Sequence, residues 1–432
     1  MRCRPLAHGL LVFALVACSS GPRARVQSAL DARDLAAARE AYESFRSVDG
    51  DDPALLGRVA ALLLREEAES NDPERRDAAM MQLRMGGVAA QWTLDALARD
   101  TDHPVARAQA LSALDALGQS WVAPYLAVLA DSQDPELRAL SLAALDVALD
   151  RSTLVGALAD AHAGVRRAAA VALGKGGPDD ATRVALAEVA RVDPERGVRV
   201  AATNALGSFG PEAVDALRGR LGDPFSSVRL AAVGALLRAD AHAGTAAVSA
   251  LLATPPSPAG IEAARRLSAL ADGSDTDRES ARVYLRAVLH THDATLRSQA
   301  AVALASLADD SMDASLREAL ASETDRGVRL GLARALMRRD AEAALPTLRA
   351  LLAGDDMPAI QAAALLAARG EEAVIERLRA ALTDEDGLRR RVAARLLAVD
   401  AGRPHEILGL LSDADPLVRI QAAGGILAAA NR

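Results

Sequence analysis

Aromatic side chains are scarce in this chain of 432 residues: Phe, Tyr and Trp together make up 2%, against 51% hydrophobic residues overall. A core of packed rings is excluded, so the interior must be built from Ala, Leu and Val. Ala is the best helix former, which suits closely packed helices. Lysine is nearly missing, Lys175 being the only one, and arginine carries the positive charge. Basic residues are in deficit as a whole, and the net charge of -8 is a poor start for displacing counterions from nucleic-acid phosphates. Cysteine occurs twice, at Cys3 and Cys18. The apolar run from Gly9 to Ala17 is too short for a bilayer, which takes about 20 residues. At this length, several domains or one repeat array is expected.

What is present begins with "MRCRPLAHGLLVFALVAC". Arg2 and Arg4 precede the apolar run, and a Cys follows a small residue, the layout of a signal peptide. "LVAC" at Leu15 to Cys18 resembles the bacterial lipobox. That resemblance implies cleavage after residue 17 and lipidation of Cys18, which becomes the sole Cys, so no disulfide framework is possible. Loss of Arg2 and Arg4 takes the charge from -8 to -10. Two or more acyl chains give stable anchoring where one does not. Ser19 after the Cys favours the outer membrane, on its periplasmic face. Residues 18–23 form a short tether.

Downstream, one line recurs. "DPERGVRVAATNALG" at 193–207 returns as "DPFSSVRLAAVGALL" at 223–237, and at lower fidelity from Asp160, Glu323 and Asp413. Anchors Ala106, Leu137, Val165, Val198, Val228, Ile261, Leu296, Val328, Ile360, Leu388 and Val418 follow one another at steps of 28 to 35 residues, and a weaker copy starts at Asp72. Apolar residues at 0, +3, +4, +7 and +8 mark one face of a helix. The opening Asp and the adjacent Pro194 or Pro224 predict a cap and a first helical position. Gly174, Gly207 and Gly370 predict helix ends. A shorter apolar helix lies between copies, as in "PEAVDALRGRL" from Pro211. Helix pairs of this length bury both apolar faces only by stacking, which predicts an α-solenoid.

The line D-x4-V-R-x-A-A-x-x-A-L-G, whole at Asp193 to Gly207, resembles the second helix of HEAT repeats, including the short bacterial HEAT-like lyase type. The resemblance covers about residues 71–432 and implies an all-α, right-handed α-solenoid of eleven or twelve helix pairs. It also implies a structural ladder of Asp160, Asp193 and Asp223 with Arg166, Arg199, Arg229, Arg329 and Arg419. Residues 24–70 differ. There "ALDARDLAAAREAYESF" resembles a tetratricopeptide repeat at Asp34, Ala38 and Tyr42, and a helical cap over the first HEAT unit is the plainer reading. Pro255, Pro256 and Pro258 flank the least regular copy, around Ile261, and predict a hinge.

No catalytic pattern assembles in the sequence. His290 and His292 lie two apart beside Asp293 without a third ligand nearby, and no H-E-x-x-H exists. His162 and His242 share "ADAHAG" and read as Asp-capped turns. "GKGGPDD" from Gly174 follows a helix instead of a strand and lacks the phosphate-loop Ser or Thr. The resemblance to deoxyhypusine hydroxylase fails on its iron ligands, because His405-Glu406 is the lone His-Glu pair. Bilin lyases share the repeat type but act in cytoplasm or plastid. The expectation is therefore a non-enzymatic scaffold or adaptor of the cell envelope, with no metal or cofactor, no nucleic acid and no small-molecule substrate. Its partners would be proteins, and the membrane would be reached through the lipid anchor. The alternatives are a structural subunit of an envelope complex and, after it, a HEAT-like enzyme of metal hydroxylase or lyase type. Of the +2 residues, Val200, Leu230, Leu330 and Ile420 are candidates to line a partner groove or to pack between units. "IQAAGGILAAANR" at the end has no polar cap of its own.

Overall fold

Aspartate begins many of the helices. Asp34, Asp52, Asp240, Asp325 and Asp340 each accept a hydrogen bond from the amide three residues on, at 2.7 to 3.2 Å, and Pro occupies the first turn after Asp52, Asp72, Ser257 and Asp415. Both devices satisfy or remove the free amides of a helix start. The protein is described by a computed structural model over residues 21–142, 147–177, 179–270, 274–307, 313–337 and 339–431. The expected signal peptide and Cys18 lie outside the described residues. Among these residues there are helices and turns and no strand.

Two units divide the chain: one takes Met1–Ala113 with Ala367–Arg432, the other Leu114–Leu366. In chain order the α-helices run α1 Pro22–Asp31, α2 Leu35–Asp49, α3 Pro53–Ala68, α4 Pro73–Met85, α5 Gly87–Asp100, α6 Pro104–Ala116, α7 Ala123–Ala127, α8 Pro135–Leu142 and α9 Val147–Ala157. There follow α10 Ala163–Leu173, α11 Asp180–Val192, α12 Arg196–Leu206, α13 Val214–Arg220, α14 Ser226–Ala239, α15 Ala241–Ser249, α16 Pro258–Ala269 and α17 Asp275–Leu289. The rest are α18 Ala294–Ser306, α19 Asp313–Ser322, α20 Arg326–Leu336, α21 Ala341–Leu351, α22 Met357–Ala367, α23 Ile375–Ala381, α24 Gly387–Arg395 and α25 Pro416–Ala430.

The unit Leu114–Leu366 is an α-solenoid of helix pairs. Its second helices form one layer in which α8, α10, α12, α14, α16, α18 and α20 each pack on the next. First helices such as α11 and α17 pack against the second helix of their own copy, α12 and α18. Ala and Leu fill the joints: Ala169, Leu173, Ala202, Leu206, Ala232 and Leu236 are all fully buried. Gly174 and Gly207 end their helices with right-handed backbone (φ -67° and -61°), so conformational freedom is not their use. Space is. A Cβ on Gly174 would stand 3.0 Å from Ala205 Cα, and one on Gly207 3.0 Å from Ala235 Cα. Gly370, at φ +89°, is a left-handed helix end as expected.

The other unit joins residues from both ends of the sequence. Helix α3 packs on α2, α4 and α5, and also along α25, while α25 packs on α4, α24 and the 3₁₀ segment Pro404–Ser412. The joint is close: a Cβ on Gly57 would lie 3.0 Å from Ala430 Cβ, and one on Gly86 2.4 Å from Leu427 Cδ2. Asn431 Nδ2 donates to the Gly86 carbonyl at 2.5 Å. The apolar final helix thus finds its cover in α3 and α4. The residues expected to form a cap over the first repeat serve the last one as well.

Candidate functional site

The polar residues of the repeat line converge between copies. Arg166 donates through Nε and Nη2 to Asp193 at 2.7 and 3.0 Å, and through Nη1 to the Asp160 carbonyl at 2.9 Å. Arg199 repeats this on Asp223 at 3.1 and 3.3 Å and on the Asp193 carbonyl at 2.7 Å. Its guanidinium also lies 5.1 Å from the Phe225 ring centroid. Asp160 receives Arg138. Each arginine therefore clamps its own turn with one nitrogen and the next copy's carboxylate with the side-on pair, a bidentate geometry matched to a carboxylate.

The three aspartates are not helix caps. Asp160, Asp193 and Asp223 accept from the amides of His162, Glu195 and Phe225 at 2.8 to 2.9 Å, and those residues, two positions on, are the caps of α10, α12 and α14. Pro194 and Pro224 lie in the turn, ahead of the helix. This shift has a physical reason: an Asp closing a turn through the amide two residues later also accepts from the preceding copy's arginine. Asp240, in the second "ADAHAG", does cap its helix.

Burial pushes the Asp193 carboxyl up, and hydrogen bonds from Arg166 and the Glu195 amide more than reverse it, leaving it below the usual range. Burial likewise opposes, and the Phe225 amide and Arg199 outweigh it, at Asp223. Glu406 is held down to about 2, first by Arg379 and then, against burial, by Arg403. Glu406 is thus taken up in ion pairs, while His405 Nδ1 lies 3.2 Å from Asp51 and burial pushes its titration down.

Other ladder members fall differently from the sequence reading. Arg229 holds the carbonyls of Asp223 and Pro224 at 2.7 and 3.0 Å, but the next copy opens with "ATPPSP", which offers no carboxylate. Arg329 does not join: its Nε is buried with no hydrogen-bond partner among the described residues, and Arg326, three residues earlier, grips Asp356 at 2.6 and 2.9 Å. Arg419 continues the ladder onto Glu67 Oε1 at 2.6 Å, while Arg75 holds the other oxygen at 2.6 Å. Glu67, in α3, stands where a following repeat would supply its carboxylate. Three pairs were missed. Arg138 with Asp160 and Arg297 with Glu323, at 2.6 and 3.0 Å, carry the same +1 arginine and were readable. Arg390 with Asp413, at 2.9 Å twice, stands one position later, at +2 from Leu388, where the repeat line does not place an arginine.

Of the groove candidates, Leu330 and Ile420 are buried, which leaves them no groove to line, while Val200 and Leu230 are half-buried. Exposed apolar side chains lie elsewhere, among them Val171, Val192, Phe225 and Val302 in one unit and Met81, Met85, Val88 and Trp92 in the other. His290 and His292 are exposed, and His292 gives its carbonyl to Arg297 at 3.0 Å. Among the described residues no three His, Cys, Asp or Glu side chains converge as metal ligands. None of the described helices is long and apolar enough to cross a membrane.

Comparison with known proteins agrees with this architecture. The family model for HEAT repeats matches residues 183–271 and 314–398. No curated protein matches the sequence. Among solved structures, the CpcE–CpcF complex of phycocyanin lyase from Nostoc sp. PCC7120 is 21% identical over 52% of this chain and 92% of its own, with a TM-score of 0.32. Kap95p, solved in a study of RanGDP switch loops, is 14% identical over 93% of this chain and 60% of its own, with a TM-score of 0.37. Human deoxyhypusine hydroxylase is 18% identical over 65% and 96%, with a TM-score of 0.23. The stretches 183–271 and 314–398 thus carry HEAT repeats, and the same arginine–carboxylate joints recur beside and between them, at Arg166 with Asp193 and at Arg297 with Glu323.

Proposed function

We propose that this protein is a non-enzymatic scaffold for protein partners, tethered to the bacterial cell envelope by lipid on Cys18. The observation that supports the reading is where the repeated polar residues go. Arg166, Arg199, Arg297 and Arg390 are spent on carboxylates of the adjoining copies, which is a structural use and leaves helix faces as the working surface. Exposed apolar side chains on those faces suit partner contact better than chemistry on a small substrate. Arg2 and Arg4 at the start, a short apolar stretch and "LVAC" support the tether, and the leaflet favoured by Ser19 is the outer membrane.

In-cell crosslinking of a C-terminally tagged chain, followed by detergent extraction, tests both parts. A stoichiometric protein partner, lost or reduced in Cys18→Ala as the chain leaves the membrane fraction, is the expected result. Absence of any partner above background, or a bound metal or cofactor in the purified chain, would overturn the scaffold. Membrane association unchanged in Cys18→Ala would overturn the tether alone.

A further inference from the structure

In the layer of second helices, the +6 position of the repeat line faces solvent. Val171 is 47% exposed there and Val302 60%, and Asn204 and Arg334 are exposed at the same position. In α14 the position is Gly234, which is buried under two arginines. A Cβ on Gly234 would stand 3.1 Å from Arg266 Cζ and Nη2 and 3.3 Å from Arg238 Nη1, so the two guanidinium groups meet over one point of the helix. Glycine inside a helix is disfavoured, and here it gives them room. Arg238 belongs to α14 and reaches back through Nη2 to the Asn204 carbonyl of α12, at 3.1 Å. Arg266 belongs to α16, where its Nε donates to Glu262 Oε1 at 2.5 Å.

The pair is short of negative charge. Glu262 is shared, because Arg265 takes both of its oxygens at 2.7 Å. Arg238 makes no ion pair among the described residues, and partial burial and then the charge of Arg266 push its titration down. Nη1 of Arg238 and both terminal nitrogens of Arg266 have no hydrogen-bond partner among the described residues. Both side chains are open to solvent, Arg238 as an exposed residue and Arg266 at 36%. Two guanidinium groups that meet with donors to spare fit an oxyanion. One helix further to either side stand the exposed Val171 of α10 and Val302 of α18. That row crosses four helix spacings, roughly 40 Å, the span of about twelve extended residues, and a small molecule would cover only its middle. We propose that Arg238 and Arg266 seat a carboxylate from an acidic segment of a protein partner lying across α12, α14 and α16. The inference rests on the scaffold reading and adds the chemistry of the partner.

The test titrates the purified full chain with fluorescein-labelled hexaglutamate and with hexaglutamine, following anisotropy, and uses inorganic phosphate as competitor. A net charge of -8 repels hexaglutamate from the chain as a whole, so binding requires a local basic site. Saturable binding at low ionic strength, weakened by added salt and weaker by about tenfold or more for hexaglutamine, is the expected result. Arg238→Gln should weaken it by about threefold or more while melting as before, and Arg238→Gln with Arg266→Gln by about tenfold. Arg218→Gln removes another exposed arginine, paired with Asp215, and should leave binding as it was. If the double variant fails to fold, the single one carries the test. Absence of binding, equal binding of hexaglutamine, or equal losses in Arg218→Gln and Arg238→Gln would overturn the proposal. Phosphate binding more tightly than hexaglutamate would overturn it in favour of a phosphate-bearing ligand. None of these readings needs the cellular partner, so a partner captured by crosslinking beside a chain that ignores hexaglutamate defeats this inference and leaves the scaffold standing.

Discussion

Arg199 shows how much one side chain does in this fold. It fixes its own turn through the Asp193 carbonyl, neutralises Asp223, and lies over Phe225, all while 8% exposed. Arg199→Ala leaves the Asp223 carboxylate buried and unpaired, so a loss of about 3–5 kcal/mol is expected. Arg191→Ala removes an exposed, solvent-screened pair with Glu188 and should leave stability almost unchanged. Urea unfolding of the two variants checks the contrast, and equal losses would contradict the ladder's role.

Acid should act on the same contacts. The Glu406 carboxyl lies near about 2 in the folded chain against 4.5 ordinarily, so between those values the unfolded chain binds more protons. Its stabilisation is complete above about pH 4.5 and is lost as the pH falls through about 2. Asp193, Asp223, Glu323 and Asp413 are also held below their ordinary range, each by an arginine working against burial, and add in the same direction. Melting temperature should fall steeply over that interval, and Glu406→Gln should flatten part of the slope. At this scale the sequence was legible where the period fixed a partner, as for Arg166 with Asp193. It was not legible where a neighbour three residues away had the better reach, as Arg326 does over Arg329.

Among elements, the pairing of α3 with α25 decides the most. Glu67 is buried and serves Arg75 and Arg419 together. Glu67→Ala strands two guanidinium groups, and a loss on the order of 3 kcal/mol is expected. Amide exchange should then rise in Pro416–Ala430 and Pro53–Ala68 while α12 and α14 keep their protection; uniform loosening would refute a local joint. The helices themselves were readable from the 0, +3, +4, +7, +8 pattern and the Asp and Pro starts. Their joint was not, because Glu67 and Arg419 are 352 positions apart and no periodicity relates a residue before the repeats to the last of them. Gly57 and Gly86 carried the only local trace, as small residues where a helix needed room.

For the whole molecule, the two units imply two cooperative blocks with different dependence on the chain ends. Removing residues 416–432 uncovers α3 and α4, so the first unit should lose its melting transition or drop by many degrees. The unit Leu114–Leu366, whose ladder is internal, should melt as before. Calorimetry of the shortened chain checks this, and loss of both transitions would show that the blocks are one. Ordinary repeat arrays gain stability by adding neighbours, so trimming an end costs only the adjoining repeat. Here the cost falls on residues more than 300 positions away.

That separation sets a clock on biogenesis. Helix α3 is made early, but the helix that covers its apolar side is made last. At about 5–20 residues per second of synthesis, the 352 positions from Glu67 to Arg419 take on the order of 20 to 70 s. Throughout that interval the side of α3 that carries Gly57 and Glu67 lacks the helix it packs on, so whatever shelters a growing polypeptide must hold α3 until α25 arrives.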